Sequence, residues 1–187
     1  MKLSVCIVNW NTKDYLRECL TALATYPAQG AEAEIIVIDN ASTDGSAAMV
    51  AEEFPEVYLV AGRENVGYAQ GNNEALARAH GDWVLLLNPD VVVRLGSLSS
   101  ALRFGRDHPD AGAIGVRLVG KNGETQRSVR GFPDPWPVLW EYLGLPRLFP
   151  NSRFFGAYRM PWFDYDRPAR VDQPMGSFLL IRRAALD

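Results

Sequence analysis

Short apolar runs alternate with amphipathic stretches along most of the chain. The runs predict strands at residues 3–8, 34–38, 57–60 and 83–87. The intervening stretches repeat apolar side chains at helical spacing and predict helices at residues 12–24, 42–54 and 68–79. This alternation is typical of a parallel sheet, and the continuous apolarity of residues 83–87 indicates a central strand covered on both faces.

The pattern continues beyond residue 90 and then changes. A helix is predicted at residues 98–107, a strand at residues 113–118 and a tight turn at residues 121–124. Residues 131–168 are rich in proline and aromatic side chains, which predicts a partly irregular segment with one helix at residues 136–143. A last strand is predicted at residues 177–181, and the whole chain is expected to form a single α/β domain.

Composition narrows the class of protein. A chain of 187 residues that is 48% hydrophobic is long enough for one well-buried core. The formal net charge of -3 gives no basic footprint, so nucleic acid is not an expected partner. Cys6 and Cys19 lack the spacing of a metal site or a disulfide framework and are expected to be small buried hydrophobic residues. The N-terminus has no signal-peptide pattern and no apolar run is long enough to span a bilayer, which predicts a cytoplasmic location.

Polar residues directly follow four of the predicted strands. These segments are Asn9-Trp10-Asn11, Asp39-Asn40-Ala41-Ser42-Thr43-Asp44, Asn65-Val66-Gly67 and Asn88-Pro89-Asp90. In an open parallel sheet the carboxyl ends of the strands lie at one edge, and ligands bind outside that edge. The four segments therefore predict one binding cleft for a phosphate-bearing ligand.

Asp39 brings a carboxylate to this cleft directly after a buried strand. A carboxylate only accepts hydrogen bonds, which suits a donor on a base or a ribose. The alternative is that Asp39 and Asn40 only shape a turn, with Ser42, Thr43 and Asp44 capping the next helix. We expect Asp39 to contact the ligand, and we expect Ser42 and Thr43 to cap the next helix, because hydroxyl oxygens satisfy the free N–H groups of a helix start.

Glycine and amide residues surround the predicted start of the helix at residue 68. Gly67 would let the backbone approach a ligand closely, and a helix N-terminus favours an anion. Asn65 as a simple N-cap is the competing interpretation. Asn65 and Gly67 lie beside the other predicted strand ends, and this position favours a ligand.

Asn88-Pro89-Asp90 ends the most apolar predicted strand, where a carboxylate is costly unless it faces a cleft or a cation. Asp90 is the candidate metal ligand, because Mg²⁺ is commonly held by one or two carboxylates together with substrate phosphates. Mn²⁺ accepts the same oxygen ligands. Taken alone, these residues fit an exposed proline-containing turn equally well.

Several common enzyme classes are not indicated. No Gly-x-Gly-x-x-Gly follows the first predicted strand and no Gly-x-x-x-x-Gly-Lys-Ser/Thr occurs, which argues against a dinucleotide oxidoreductase and a P-loop NTPase. His80 and His108 have no nucleophile nearby in the sequence, which argues against a histidine-based triad.

Five segments carry a family resemblance: SVCIVNWNTKDYLRECL, IIVIDNASTDGS, ENVGYAQGNNEAL, LLLNPDVVV and VDQPMGSFLLIRRAAL. In this order they resemble the family 2 glycosyltransferases, especially bacterial rhamnosyltransferase-like members. The resemblance implies the GT-A fold, with a Rossmann-like, mostly parallel sheet and helices on both faces. It also implies inverting transfer of a sugar from a nucleoside diphosphate donor, such as a dTDP-rhamnose-like or UDP-sugar, to a hydroxyl of a cell-surface polysaccharide or glycolipid precursor.

The resemblance assigns roles by position. The residues that would bind the nucleotide are Val8, Asn9, Trp10, Asp39, Asn40, Asn65, Gly67 and Asn72. Asp39 would accept from the imide N–H of a uracil or thymine ring. The residues that would border the donor sugar are Asn88, Gly176 and Ser177. Asn88-Pro89-Asp90 stands where the family has an Asp-x-Asp motif, so Asp90 would ligate Mg²⁺ or Mn²⁺, while Asn88 supplies no charge.

The catalytic base of the family lies in an acidic motif downstream of the segment that matches Arg182-Arg183. No residue up to Asp187 matches it, so the catalytic residue is expected beyond Asp187. We therefore expect a GT-A domain over residues 1–187 that is incomplete at its C-terminus. Residues 1–120 would be its nucleotide-binding part and residues 121–187 the start of its acceptor-side part.

Two other functions stay open. The missing base leaves a non-catalytic module that binds nucleotide sugars as an alternative. A sugar nucleotidyltransferase is less favoured, because Asn9-Trp10-Asn11 is not the basic, glycine-rich loop that such enzymes use after their first strand.

The aromatic residues of 136–165, with interspersed arginines, would form an acceptor groove, contact a lipid surface or pack into a core, and packing is their usual role. The expected partners are a nucleoside diphosphate sugar and a saccharide or lipid-linked acceptor, with peripheral contact at the inner face of the plasma membrane. The oligomeric state is not indicated.

Overall fold

The computed structural model describes residues 1–186 and divides the chain into two compact units. The first unit comprises Met1–Ile114 and the segment from Gly176 onward, and the second comprises Gly115–Met175. The assignment of residues 1–120 to nucleotide binding and of residues 121–187 to the acceptor side stays a prediction. Within the described residues, no helix has the length and apolarity needed to cross a membrane.

Strands and helices alternate through most of the first unit, and short strands and helices continue through the second. The strands are β1 (Lys2–Asn9), β2 (Glu32–Asp39), β3 (Tyr58–Ala61), β4 (Trp83–Leu87), β5 (Ala113–Gly115), β6 (Leu118–Val119), β7 (Thr125–Gln126), β8 (Val129–Arg130), β9 (Gln173–Pro174) and β10 (Phe178–Arg182). The helices are α1 (Lys13–Thr25), α2 (Ser46–Glu53), α3 (Tyr68–Leu76), α4 (Ser97–Asp107), α5 (Pro135–Tyr142) and α6 (Leu145–Leu148). A short 3-10 helix covers Arg183–Ala185.

Six strands form one sheet in the order β3-β2-β1-β4-β10-β5. β1 pairs in parallel with β2 and β4, and β2 pairs in parallel with β3, whereas β10 runs antiparallel to β4. The predicted mostly parallel sheet is thus confirmed. Asn9 is level with Asp39 in the register of β1 and β2, so the two strands end side by side.

Both faces of the central strands are buried. On one face a core cluster joins β1, β2 and α3 through Cys6, Val8, Ile36, Ile38 and Ala75. On the other face Leu3, Val5 and Ile7 of β1 are also buried, since successive side chains of a strand point to opposite sides. Strands that are buried on both faces need helices on both, as predicted.

The two cysteines are buried and free, as the sequence predicts. Burial raises the pKa of the Cys6 thiol and of the Cys19 thiol to about 12 in each case. Both thiols therefore stay neutral and act as small core side chains.

The predicted start of α2 is wrong. The helix begins at Ser46, and neither Ser42 nor Thr43 caps it. Gly45 precedes the helix with a φ of 83°, so the chain first turns through the left-handed region. Of the three residues weighed as caps, only Asp44 serves the helix start, because its Oδ1 accepts from the N–H and from the hydroxyl of Ser46 at 3.0 and 2.5 Å.

The same carboxylate also serves α1. Thr12 precedes this helix, but its side chain makes no capping hydrogen bond. Asp44 Oδ2 accepts the N–H of Lys13, the first helical residue, at 2.9 Å. A negative charge beside two helix N-termini is favourable, because free N–H groups and the helix dipoles point toward it.

Two further boundaries differ from the sequence predictions. The helix predicted at residues 68–79 ends at Leu76. The strand predicted at residues 113–118 is two strands, because β5 lies in the six-stranded sheet and β6 pairs with β7. The turn predicted at residues 121–124 is confirmed as the connection between β6 and β7, with Gly123 at a φ of 84°.

The second unit contains two small antiparallel strand pairs and two helices. β6 pairs with β7, and β8 pairs with β9. The hydroxyl of Tyr165 accepts the N–H of Val129 at 3.2 Å, and Arg159 pairs with Glu141 at 2.7 Å. Helices α5 and α6 bury none of their residues.

Candidate functional site

The carboxyl ends of β1, β2 and β4 lie at one edge of the sheet. Asn9 is level with Asp39, and Ile7 is level with Leu87, the residue before Asn88. The loop after β3 reaches the same edge, because Asn40 Nδ2 donates to the carbonyl of Gly67 at 3.2 Å. The structure therefore brings the four predicted polar segments together.

Asp39 lies in a closed hydrogen-bond network and is only 2% exposed. Its Oδ1 accepts from Asn9 Nδ2 at 2.8 Å, and its Oδ2 accepts from the N–H of Ser42 at 2.9 Å. Asn9 also donates to Ser42 Oγ at 3.1 Å and accepts from Thr12 Oγ1 at 2.6 Å. Asp39 thus shapes the turn, while each carboxylate oxygen keeps capacity for a second hydrogen bond.

The turn after β2 is also held by its backbone. The carbonyl of Asp39 accepts the N–H groups of Ala41 and Gly62 at 2.9 and 2.8 Å, and Asn40 N–H donates to the carbonyl of Asn9 at 2.8 Å. Ala41 has a φ of 57°, which is uncommon for a residue with a side chain. The surrounding hydrogen bonds hold this conformation, so the fold determines the shape of the loop.

The end of β1 presents one buried and one exposed apolar side chain. Val8 is 7% exposed and packs in the core, so only its backbone is available to a ligand. Trp10 is 56% exposed. Asn11, which follows at a φ of 52°, accepts the N–H of Thr43 on its Oδ1 at 2.8 Å and joins the two loops.

The start of α3 forms the next wall of the site. Asn65 is not the N-cap, because that position is taken by Gly67 at a φ of 83°; Asn65 Oδ1 instead accepts the N–H of Gly67 at 2.9 Å. Asn72 is buried and donates to the carbonyl of Tyr68 at 2.8 Å. The amide of Asn65 therefore orders the loop before the helix, and the amide of Asn72 binds the first turn of the helix.

Asn88 is oriented by two neighbours at the end of β4. Its Oδ1 accepts from the Tyr68 hydroxyl at 3.1 Å, and its Nδ2 faces Ser177 Oγ at 3.5 Å. The backbone N–H of Asn88 donates to the carbonyl of Ser177 at 3.0 Å. The Tyr68 hydroxyl also lies 3.4 Å from the carbonyl of Gly176. The three residues predicted to border the donor sugar thus lie together, because Tyr68 contacts Asn88 and Gly176 and Asn88 contacts Ser177.

Asp90 is exposed at the same edge. Burial raises the pKa of the Tyr68 hydroxyl, and the negative charge of Asp90 raises it further, so the hydroxyl stays protonated and donates. Among residues 1–186 no group of three or more histidine, cysteine or acidic side chains is arranged to hold a metal ion. A divalent ion here would need oxygen atoms of a ligand beside the Asp90 carboxylate.

Tyr68 and Ser42 are the site residues that sequence reasoning missed. Ser42 was expected only to cap a helix, and no motif indicated a role for Tyr68. The hydroxyl of Ser42 instead accepts from the N–H of Asn11 at 2.9 Å and from Asn9. The signal that was available for Tyr68 is its place in Asn65-Val66-Gly67-Tyr68, directly after the glycine that opens the helix.

The model of one protein family, Glycosyl transferase family 2, matches residues 4–164. A curated relative is N-acetylglucosaminyl-diphospho-decaprenol L-rhamnosyltransferase from Mycobacterium tuberculosis (strain ATCC 25618 / H37Rv), which is 28% identical over 195 residues. The match covers 98% of this chain, and the chain spans 62% of the length of that relative.

Two solved structures are also similar. Staphylococcus aureus TarS 1-349 in complex with UDP-GlcNAc matches with a TM-score of 0.56 and 28% identity, over 73% of this chain and 38% of that chain. Mannosyltransferase PcManGT from Pyrobaculum calidifontis, in complex with GDP-Man and Mn²⁺, matches with a TM-score of 0.55 and 28% identity, over 63% of this chain and 35% of that chain.

The structural similarity confirms the GT-A fold that the resemblance implied. The family match takes in the strands, the helices and the polar edge from β1 to β4, and it extends well into the second unit. On this evidence, the chain belongs to glycosyl transferase family 2.

Proposed function

We propose that the protein to which this chain belongs transfers a sugar from a nucleoside diphosphate donor to a hydroxyl of a saccharide or lipid-linked acceptor, with inversion at the anomeric carbon. The described residues would hold the donor, and the reaction is expected in the cytoplasm. We assign none of these residues as the catalytic base. The observation that carries the proposal is the hydrogen-bonded edge that joins Asn9, Asp39 and Ser42, next to Asn88 and Asp90, which directly follow the neighbouring strand β4.

The proposed nucleotide site lies around β1 and β2. Asp39 keeps acceptor capacity for the imide N–H of uracil or thymine, and Trp10 provides an exposed ring on which a base can stack. Asn40, Asn65, Gly67 and Asn72 would line the ribose and diphosphate side, where the start of α3 favours an anion. Two relatives support this kind of ligand, since one is named a rhamnosyltransferase and another was solved with UDP-GlcNAc.

Asp90 would hold Mg²⁺ or Mn²⁺ together with the diphosphate of the donor. The residues present fit such an ion, because an exposed carboxylate and phosphate oxygens are the hard ligands that both ions prefer. The PcManGT complex, which contains GDP-Man and Mn²⁺, supports the pairing of a nucleotide sugar with a metal. When bound, the ion supplies positive charge to the leaving diphosphate.

Calorimetry with UDP, dTDP and GDP, each with and without Mn²⁺, tests the proposal. We expect a pyrimidine diphosphate to bind more tightly than GDP and to gain affinity from Mn²⁺. Asp90→Asn should remove most of that gain, a loss of about ten-fold or more, which corresponds to about 1.4 kcal/mol. Asp107→Asn, an exposed aspartate at the end of α4, is the matched control and should bind like the parent chain.

A second variant tests the base site. Asp39→Asn replaces one acceptor oxygen with a donor nitrogen, so it should weaken the pyrimidine diphosphates more than GDP in protein whose circular dichroism shows it is folded. The proposal is wrong if no nucleoside diphosphate binds the folded chain, or if Asp90→Asn and Asp107→Asn have the same affinity for the pyrimidine diphosphate in Mn²⁺.

A further inference from the structure

Helices α5 and α6 of the second unit are rich in apolar residues, yet none of their residues is buried. The apolar and aromatic residues of α5 are Trp136, Val138, Leu139, Trp140 and Tyr142. A helix with this many apolar side chains is ordinarily covered by protein or by lipid. Within residues 1–186, Trp140 packs against Phe154 and Phe155, but most of the apolar side chains of α5 stay exposed.

Five aromatic rings of this unit form a connected cluster, which we name the aromatic patch: Trp136, Trp140, Phe149, Phe154 and Phe155. The centroids of adjoining rings lie between 5.1 and 5.8 Å apart. Trp136 and Phe154 are 64% and 65% exposed, and Tyr142 and Leu148 of the same two helices are 88% and 71% exposed. Contiguous apolar surface of this kind marks an interaction site, whereas single exposed residues do not.

The charges around the aromatic patch are mostly positive. Arg147 lies next to Leu148 and Phe149, and Arg153 lies next to Phe154; both arginines are exposed and have no acidic partner within residues 1–186. Glu141 is neutralised by Arg159 at 2.7 Å. Asp134, at the start of α5, is the other acidic residue of the segment 131–156.

We propose that α5, α6 and the aromatic patch bind the surface of a lipid bilayer that contains anionic phospholipid. Tryptophan and tyrosine favour the interface of a membrane because their rings are apolar and their tips are polar. Arginine extends its charged end from an apolar surface to lipid phosphates. A protein partner would bury Arg147 and Arg153 at a cost unless it supplied two matching acids, whereas phospholipid headgroups supply the counter-charge everywhere.

This inference goes beyond the proposed function, because vesicle binding needs neither nucleotide nor acceptor. Co-sedimentation with vesicles of phosphatidylcholine, with and without phosphatidylglycerol, tests it. We expect the chain to sediment with the vesicles that contain phosphatidylglycerol and to be released in part by salt. Calorimetry with UDP on the same samples keeps a failure of this inference separate from a failure of the proposed function.

Matched variants distinguish vesicle binding through α5, α6 and the aromatic patch from non-specific adsorption of other exposed apolar residues. Tyr142→Ser with Leu148→Ser should reduce the bound fraction several-fold. Tyr58→Ser with Leu95→Ser changes the same residue types on the first unit, at sites that are 57% and 78% exposed, and should leave binding unchanged.

A further pair of matched variants tests the positive charge of the two arginines. Arg147→Gln with Arg153→Gln should abolish the preference for phosphatidylglycerol, whereas Arg63→Gln with Arg94→Gln, two exposed arginines of the first unit, should keep it. The inference is overturned if the chain fails to sediment with anionic vesicles, or if the two pairs in either comparison behave alike. It is also overturned if ultracentrifugation shows that the chain self-associates through Tyr142 and Leu148 and binds no vesicles.

Discussion

Replacement of Gly71 by alanine tests how closely α3 must approach the sheet to form the site. Gly71 is buried in α3 above Val8 of β1. A Cβ atom at this position would lie 2.9 Å from Val8 Cγ1, 3.2 Å from Val8 Cγ2 and 3.4 Å from Asn40 Nδ2. Carbon atoms pack without strain at about 3.5–4.0 Å. The helix or the strand must therefore shift to accept the new methyl group.

Two effects of opposite sign decide the stability of Gly71→Ala. Alanine is favoured over glycine inside a helix by about 0.5–1 kcal/mol. An added methyl group in a packed core costs about 1–3 kcal/mol. Because two of the three contacts are with a side chain held inside a strand, we expect the packing cost to exceed the helix gain and the free energy of unfolding to fall by about 1 kcal/mol.

Urea denaturation of Gly71→Ala, Val8→Ala and the double variant measures the contact directly. Val8→Ala removes both crowding methyl groups, so the double variant should be more stable than the sum of the single effects, by about 1 kcal/mol. Asn73→Ala, an exposed position of α3, reports the helix propensity alone and should be neutral or slightly stabilising. If Gly71→Ala raises stability, or if the two single effects add, the close approach of α3 to β1 does not limit the site.

Two further changes test hydrogen bonds of the first unit. Tyr68→Phe removes the hydroxyl that orients Asn88. Given the proposed function, this change should weaken binding of a pyrimidine diphosphate with Mn²⁺ about five-fold, a loss of about 1 kcal/mol, without lowering the melting temperature. Unchanged affinity in calorimetry would contradict this prediction. Burial acts to raise the pKa of Glu34, but hydrogen bonds from Ser4 Oγ and the His80 N–H outweigh it and lower the pKa below its ordinary value of 4.5. Glu34 therefore stabilises the fold above pH 4.5 and loses this effect as the pH falls through its lower folded pKa. The difference in unfolding free energy between the parent and Glu34→Gln should shrink in acid. A difference that stays constant with pH would contradict this prediction.

The strands could be predicted because their side-chain pattern reports burial directly. Residues 83–87 are apolar throughout and form β4, which is paired on both sides. The antiparallel direction of β10 could not be predicted, because it depends on pairing between Phe178 and Leu87, far apart in the sequence. The early start predicted for α2 failed for a local reason, since Gly45 adopts a positive φ that no apolar pattern records.

The candidate site could also be predicted only in part. The rule that parallel strands end at one edge was enough to bring Asn9 and Asp39 together. Which atoms they contact could not be predicted, because those contacts depend on loop conformation. The link between Tyr68 and Asn88 requires the end of β4 and the start of α3 to face each other, and neither segment encodes that distance alone.

The network around Asp39 explains how a polar site can be ready before a ligand binds. Asn9, Asp39 and Ser42 satisfy one another, and the Asp39 carbonyl holds Ala41 and Gly62, so the loops after β1, β2 and β3 are fixed by folding. A loop that is already ordered loses little conformational entropy when it binds. Because Asp39 keeps acceptor capacity after these bonds are made, the same carboxylate can shape the turn and, in the proposed function, accept from a base. The structural role of Asp39 and the base-binding role proposed for it are therefore parts of one arrangement, so relative affinities of nucleotides in folded protein are what separates them.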